Sequence, residues 1–188
     1  MIQLGILGCG RVVENRYVEV FLKEVTGAKV KVVCDPVQKK TDKVSKFLGS
    51  RAVYKEIDLF SAPDVDAILI CTESGKHYSH ARAALEAGKH VITEKPPALL
   101  PKQVLELEKI AKEKKLMYAV IFQNRLNPAM IKLKETFDKG RFGKIILNTI
   151  RLRWCRYQDY YEDGWHGTWN MDGGVINQQA IHHVDALQ

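Results

Sequence analysis

Long hydrophobic runs are missing from this chain. The longest, Leu116 to Phe122, is about a third of what a bilayer-spanning helix requires. No charged leader with an apolar stretch precedes the first apolar segment, so a cytoplasmic protein with no membrane partner is expected. Cysteine is scarce: Cys9, Cys34, Cys71 and Cys155 include no close pair at metal-ligand spacing, which argues against a metal site. The first three lie in or beside apolar runs and read as small buried hydrophobes in a reducing compartment. Low-complexity tracts and internal repeats are also lacking. The formal charge of +7 invites a nucleic-acid reading, but the excess is spread along the chain. Its densest cluster, Lys109 to Lys115, is interleaved with acid and reads as a solvated helix face, so no nucleic-acid partner is expected.

What is present is an alternation of short apolar segments and helical patterns. A chain of 188 residues suits one well-packed domain, or one and part of another. Strands are predicted at 3–7, 29–34, 52–54, 66–72, 90–93 and 116–122. Helices are predicted from the glycines to about Val25, and over 37–48, 77–87 and 101–114. Gly49 fits a helix stop and Pro101 a first helical turn. This order predicts an α/β fold, a Rossmann-type doubly wound parallel sheet over residues 1–121. After Gln123 the pattern changes. A helix opens at Asn127-Pro128 and ends near Lys139-Gly140. Lys144 to Arg156 reads as one long strand, because Ile150, Leu152 and Trp154 alternate with Arg151 and Arg153. Asp172-Gly173-Gly174 then introduces a final helical segment. Residues 122–188 are read as the start of an α+β open-faced sheet domain.

Chemistry enters at Gly8-Cys9-Gly10-Arg11-Val12-Val13, which follows a strand and opens a helix. Gly8 permits a tight turn, and Gly10 lets a pyrophosphate approach the backbone at the positive end of the helix. Val13 stands where a third glycine is usual, which loosens helix–strand packing without removing a phosphate contact. Asp35 ends the second strand, where a carboxylate can accept from both ribose hydroxyls of an adenosine and repel a 2′-phosphate. That favours NAD over NADP, with Lys39 and Lys40 nearby pulling the other way. The alternative for Asp35 is a turn and helix cap ahead of Pro36. Further on, Ala67 to Thr72, His77, Ala84 to Val91 and Glu94-Lys95-Pro96 form a strand, a helix and a strand. The last strand delivers a carboxylate and an amine to its carboxyl end, where ligands of open parallel sheets bind.

With these residues in place, the chain resembles the glucose–fructose oxidoreductase/inositol dehydrogenase family. The run Glu86 to Pro96, the stretch Gln123 to Ala129 and the segment Gly173 to Asp185 carry the likeness most specifically. Within that family the chain is most similar to the nucleotide-sugar 3-dehydrogenases, which oxidise UDP-N-acetylglucosaminuronate at C3. That likeness rests on Gln123 to Ala129, Lys139 to Gly143, and Trp165 to Trp169 with Asp172-Gly173-Gly174. The resemblance implies an N-terminal NAD-binding Rossmann domain and a C-terminal domain for substrate binding and oligomerisation. A dehydrogenase of a free sugar or cyclitol, or a catalytically silent NAD-binding protein, are the alternatives. It places Lys95 beside the nicotinamide and the reacting hydroxyl, with His182 as its companion. Gly8, Gly10, Arg11, Val12, Asp35, Thr72, His77 and Glu94 are expected around the cofactor, joined by Gln123, Trp165 and His166; for His77 a helix-start role is the equal alternative. His166 holds a position where arginine is expected in those relatives, and Gln178 one where inositol dehydrogenases often carry aspartate.

Oxidising a secondary alcohol needs a base, and His182 suits it because imidazole titrates near neutrality. Lys95 would then polarise the developing alkoxide, and the two roles can be exchanged. Gln178, four residues before His182, is expected on the same helical face, orienting the sugar. Arg125, Arg153 and Arg156 are candidates for the substrate's charged groups. Tyr157, Tyr160, Tyr161, Trp165 and Trp169 either stack on the substrate or pack against their own loop. A homo-oligomer is expected by resemblance. A single strand cannot build a sheet, so residues 122–188 are expected either to be poorly ordered alone or to be part of a longer chain, with negligible sugar oxidation by these 188 residues alone.

Overall fold

The computed structural model describes residues 1–188, which divide into two compact units, 1–120 and 121–188. In the first unit, six short strands form one parallel sheet: β1 (Ile2–Leu7), β2 (Ala28–Cys34), β3 (Arg51–Val53), β4 (Ala67–Ile70), β5 (His90–Thr93) and β6 (Tyr118–Val120). Their spatial order is β3-β2-β1-β4-β5-β6. The chain therefore reverses its direction of travel between β1 and β4, the crevice where a doubly wound sheet opens to ligands. Strand β4 is buried throughout, as its unbroken apolar sequence requires.

Register decides what reaches that crevice. Leu7 lies opposite Cys34 on one side and Ile70 on the other, and Ile70 lies opposite Thr93. One row thus ends four strands together. The residues that follow it, Gly8, Asp35, Cys71-Thr72 and Glu94-Lys95, leave the sheet along one edge.

The connecting helices are α1 (Val18–Lys23), α2 (Gln38–Leu48), α3 (Glu56–Phe60), α4 (His77–Glu86) and α5 (Pro101–Lys114). Gly49 ends α2 at φ 60°, and Pro101 opens α5 behind a Leu100 N–H held by Gln103 Oε1 at 3.2 Å. Two features depart from the expected pattern. The helix after the glycines contains a π-helical turn, Val13–Tyr17, in which Val13 is fully buried. Helix α3 is too short to show a period, and it is anchored by burial of Leu59 and Phe60.

In the second unit, a 3-10 turn (Gln123–Leu126) precedes α6 (Pro128–Asp138), whose first turn is capped by Asn127 Oδ1 accepting from the Ala129 N–H at 3.0 Å. Two expectations fail here. Lys144 to Arg156 forms no strand. An alternating sequence becomes a strand only when a neighbour takes its N–H and C=O groups, and residues 121–188 supply none; Ile146 is 90 % exposed and Leu147 82 %. The last helical segment is not continuous. It splits into α7 (Gly174–Gln178) and α8 (Ile181–Asp185), with the Ala180 N–H reaching back five residues to Val175 O at 2.8 Å.

Candidate functional site

The glycine turn is defined by steric necessity at Gly8. Its φ is +93°, and a Cβ there would stand 2.7 Å from the Cys71 carbonyl carbon and oxygen and 2.9 Å from Thr72 N. Only glycine fits both the backbone angle and the space. Its N–H donates to Cys34 O at 2.8 Å, which locks the turn to the end of β2. A Cβ on Gly10 would meet nothing within 4 Å. That opening is what a pyrophosphate needs, and Arg11 and Val12 start the helix beyond it, so their N–H groups are among its unpaired first donors.

Asp35 is 9 % exposed, and each of its carboxylate oxygens accepts a backbone N–H. Its Oδ1 accepts the Val37 N–H at 2.8 Å, as a turn residue would. Its Oδ2 accepts the Cys9 N–H at 2.9 Å, bracing the glycine turn across 26 residues of sequence. A carboxylate has about four acceptor positions, so two remain for a ribose. The Thr41 hydroxyl holds the Asp35 carbonyl at 2.8 Å. Burial pushes the neighbouring Cys9 and Cys34 thiols up to about 12. They stay protonated near neutrality and act as packing groups, not nucleophiles.

Beyond β5, Glu94 and Lys95 are half-buried and precede a cis Lys95–Pro96 bond. The Tyr17 hydroxyl donates to Glu94 Oε1 at 2.6 Å, and Glu94 Oε2 accepts the Lys95 N–H at 3.3 Å. Burial and the Glu94 charge push the Tyr17 phenol far above its ordinary value, so it is a donor at any relevant pH. Tyr17 ends the π-helical turn, and no sequence motif marks it. On the other side of the Glu-Lys-Pro turn lies His77, 1 % exposed, with Nδ1 2.7 Å from Pro96 O and Nε2 2.9 Å from Thr72 O. Each ring nitrogen thus faces a backbone carbonyl, and the neutral ring donates to one of them at a time. His77 opens α4 and bridges the loop after β4 and the loop after β5. Burial holds its pKa below the ordinary imidazole value against the pull of those carbonyls.

The remaining candidates belong to the second unit. His182 lies in α8, edge-on to Phe122 with ring centroids 6.0 Å apart. Gln178 lies in α7 and is 5 % exposed, so the helical spacing that put it on one face with His182 no longer applies. Arg125 is committed to the Asp185 carboxylate, with Nε 2.8 Å from Oδ2. Gln123 is exposed in its 3-10 turn. Arg153 is exposed, whereas the Arg156 guanidinium stacks 4.1 Å from the Trp154 centroid and 5.2 Å from that of Tyr160. The aromatic loop packs largely on itself: Trp165 on His166 at 3.6 Å, Tyr160 on His166 at 4.1 Å, Tyr160 on Tyr161 at 5.1 Å. His166 also pairs with Asp163, which leaves little of its ring for a phosphate. Tyr157 and Trp169 stay 80 % and 81 % exposed.

Comparison with known proteins agrees with this geometry. Residues 2–122 match the model of an oxidoreductase family with an NAD-binding Rossmann fold, and residues 130–188 match the GFO/IDH/MocA C-terminal domain. The chain is 28 % identical to D-glucoside 3-dehydrogenase of Escherichia coli, over 98 % of its own length and 52 % of that protein's. It is 30 % identical to an inositol 2-dehydrogenase/D-chiro-inositol 3-dehydrogenase of Lactiplantibacillus plantarum, over 97 % and 50 %. Among solved structures it is similar to the WlbA dehydrogenase of Chromobacterium violaceum in complex with NADH and UDP-GlcNAcA. There the TM-score is 0.93 at 34 % identity, covering 99 % of this chain and 54 % of that one. The chain thus spans about half the length of the curated relatives it matches. A doubly wound sheet, a phosphate turn braced by Asp35 and a family match over most of the sequence lead to one assignment: the chain belongs to the GFO/IDH/MocA family of NAD-binding oxidoreductases.

Proposed function

We propose that residues 1–120 hold NAD, and that residues 121–188 serve the substrate side of a dehydrogenase oxidising the C3 hydroxyl of a nucleotide sugar such as UDP-N-acetylglucosaminuronate. The observation that carries the sugar is the likeness, at TM-score 0.93 and 34 % identity, to a dehydrogenase crystallised with NADH and UDP-GlcNAcA. The residues present suit the dinucleotide. Gly10 leaves the backbone approachable, Gly8 makes the turn, and Asp35 keeps acceptor positions for two ribose hydroxyls while disfavouring a 2′-phosphate.

Bound NAD would supply the hydride acceptor. The chain's own work is on the hydroxyl. His182 takes its proton, and Lys95 meets the negative charge growing on that oxygen, or the two exchange roles. Glu94 fixes the Lys95 backbone, and Tyr17 fixes Glu94. Arg153 and Arg156 are the candidate partners for diphosphate or carboxylate, with Gln178 orienting the sugar. Arg125 holds a second-unit contact to Asp185 and supports this site through it.

A second reading, oxidation of a glycoside or cyclitol, is favoured by the 28–30 % identities to D-glucoside 3-dehydrogenase and inositol dehydrogenases. Following NADH absorbance with UDP-sugars, then with inositol and a glucoside, separates the two. Turnover confined to the small sugars would refute the nucleotide-sugar proposal. A homo-oligomer is part of the proposal, checked by sedimentation of the active protein.

A further inference from the structure

Thr72 follows β4 on the crevice side of the sheet, and its backbone N lies beside Gly8 of the phosphate turn. Two histidines grip it. His77 Nε2 lies 2.9 Å from its carbonyl oxygen, and His80 Nδ1 lies 2.9 Å from its hydroxyl oxygen. The other ring nitrogen of His80, Nε2, lies 3.1 Å from Glu56 Oε1. His80 is itself 6 % exposed. A hydroxyl, an imidazole and a carboxylate are thus joined in one line from α3 through α4 to the loop after β4.

With a neutral His80 ring the chain of donors has only one consistent reading. An ionised carboxylate accepts and cannot donate, so His80 Nε2 carries the proton toward Glu56. In a neutral ring Nδ1 is then an acceptor, and the Thr72 hydroxyl donates to it. Both lone pairs of Thr72 Oγ1 are left for whatever enters the crevice. We propose that His80, oriented by Glu56, is a positioning residue that fixes Thr72 as a hydrogen-bond acceptor, so that this edge of the site selects a donor group of the dinucleotide, a ribose hydroxyl or amide N–H. The inference rests on the cofactor reading above for its ligand, but not for its protonation pattern.

Protonation reverses the polarity. A charged His80 donates from Nδ1, and the Thr72 proton must then turn outward, where it meets another donor. Burial pushes the His80 pKa down and Glu56 pushes it back up, with burial prevailing. The groups facing it are Glu56 on α3, Lys76 and His77 at the start of its own helix, and Glu73 in the loop before it.

Nitrogen-detected NMR of the ligand-free protein near pH 7.5 reads the tautomer directly. The expected result is an Nε2–H ring for His80; an Nδ1–H ring would overturn the proposal. Fluorescence titration with NADH then tests the consequence. Affinity should fall about tenfold as His80 becomes charged, the scale of one mispaired hydrogen bond. His80→Gln, which keeps one acceptor and one donor, should bind NADH as at high pH and lose the acid-side fall. An identical acid-side fall in His80→Gln would overturn the proposal. Failure of the wild type to bind NADH at any pH would instead overturn the cofactor reading, while the tautomer is still read from the ligand-free protein.

Discussion

Asparagine at position 35 should be far more damaging than its shape suggests. Each carboxylate oxygen of Asp35 accepts a different backbone N–H, Val37 at 2.8 Å and Cys9 at 2.9 Å. An amide has one oxygen, so Asp35→Asn can serve one of these donors and must face its own N–H₂ toward the other. Leaving a buried donor without a partner costs about 1–3 kcal/mol, and hydrogen bonds to a charged acceptor sit in the upper part of that range. For a unit of this size, a loss of about 2 kcal/mol lowers the melting temperature by roughly 6–9 °C. The Cys9 donor belongs to the phosphate turn, so the loss of stability should come with weaker NADH binding. Removing the negative charge should also narrow the preference for NADH over NADPH, which the wild type should show at several-fold or more. Thermal unfolding followed by circular dichroism and paired NADH/NADPH fluorescence titrations measure both effects. An Asp35→Asn protein that melts with the wild type and keeps its cofactor preference would refute this account of the carboxylate.

Gly8→Ala puts a Cβ 2.7 Å from the Cys71 backbone at φ +93°, and should destabilise the first unit by about 2–4 kcal/mol, read from urea unfolding. Tyr17→Phe removes the donor to Glu94 and should cost about 0.5–1.5 kcal/mol while lowering turnover more than NAD affinity. Lys95→Ala in the active protein should lower kcat by about 100-fold or more with little change in NAD affinity; near wild-type turnover would remove Lys95 from the mechanism. The depressed His80 pKa means that folding favours its neutral form. That stability is present above the ordinary imidazole value of about 6.5 and is lost as pH falls through the lower folded value. His80→Gln should therefore melt with a shallower pH dependence between about pH 7 and pH 5.

Local pattern by itself determined the first unit. Unbroken apolar segments such as Ala67–Ile70 suit only strands covered on both faces, and Pro101 and Gly49 mark helix ends through backbone restrictions that act within a few residues. The glycine turn and Asp35 were legible for the same reason, because their spacing follows from the strands that carry them. Tertiary structure alone decided the rest. Tyr17 meets Glu94 across 77 residues, Glu56 meets His80 across 24, and Arg125 meets Asp185 across 60. Helical periodicity read Gln178 and His182 on one continuous helix, yet the ladder breaks at Gln179-Ala180 and leaves them in two short helices. Alternation likewise described Lys144 to Arg156 as a strand, but a strand is a relation between two segments, and no second segment in residues 121–188 completes it.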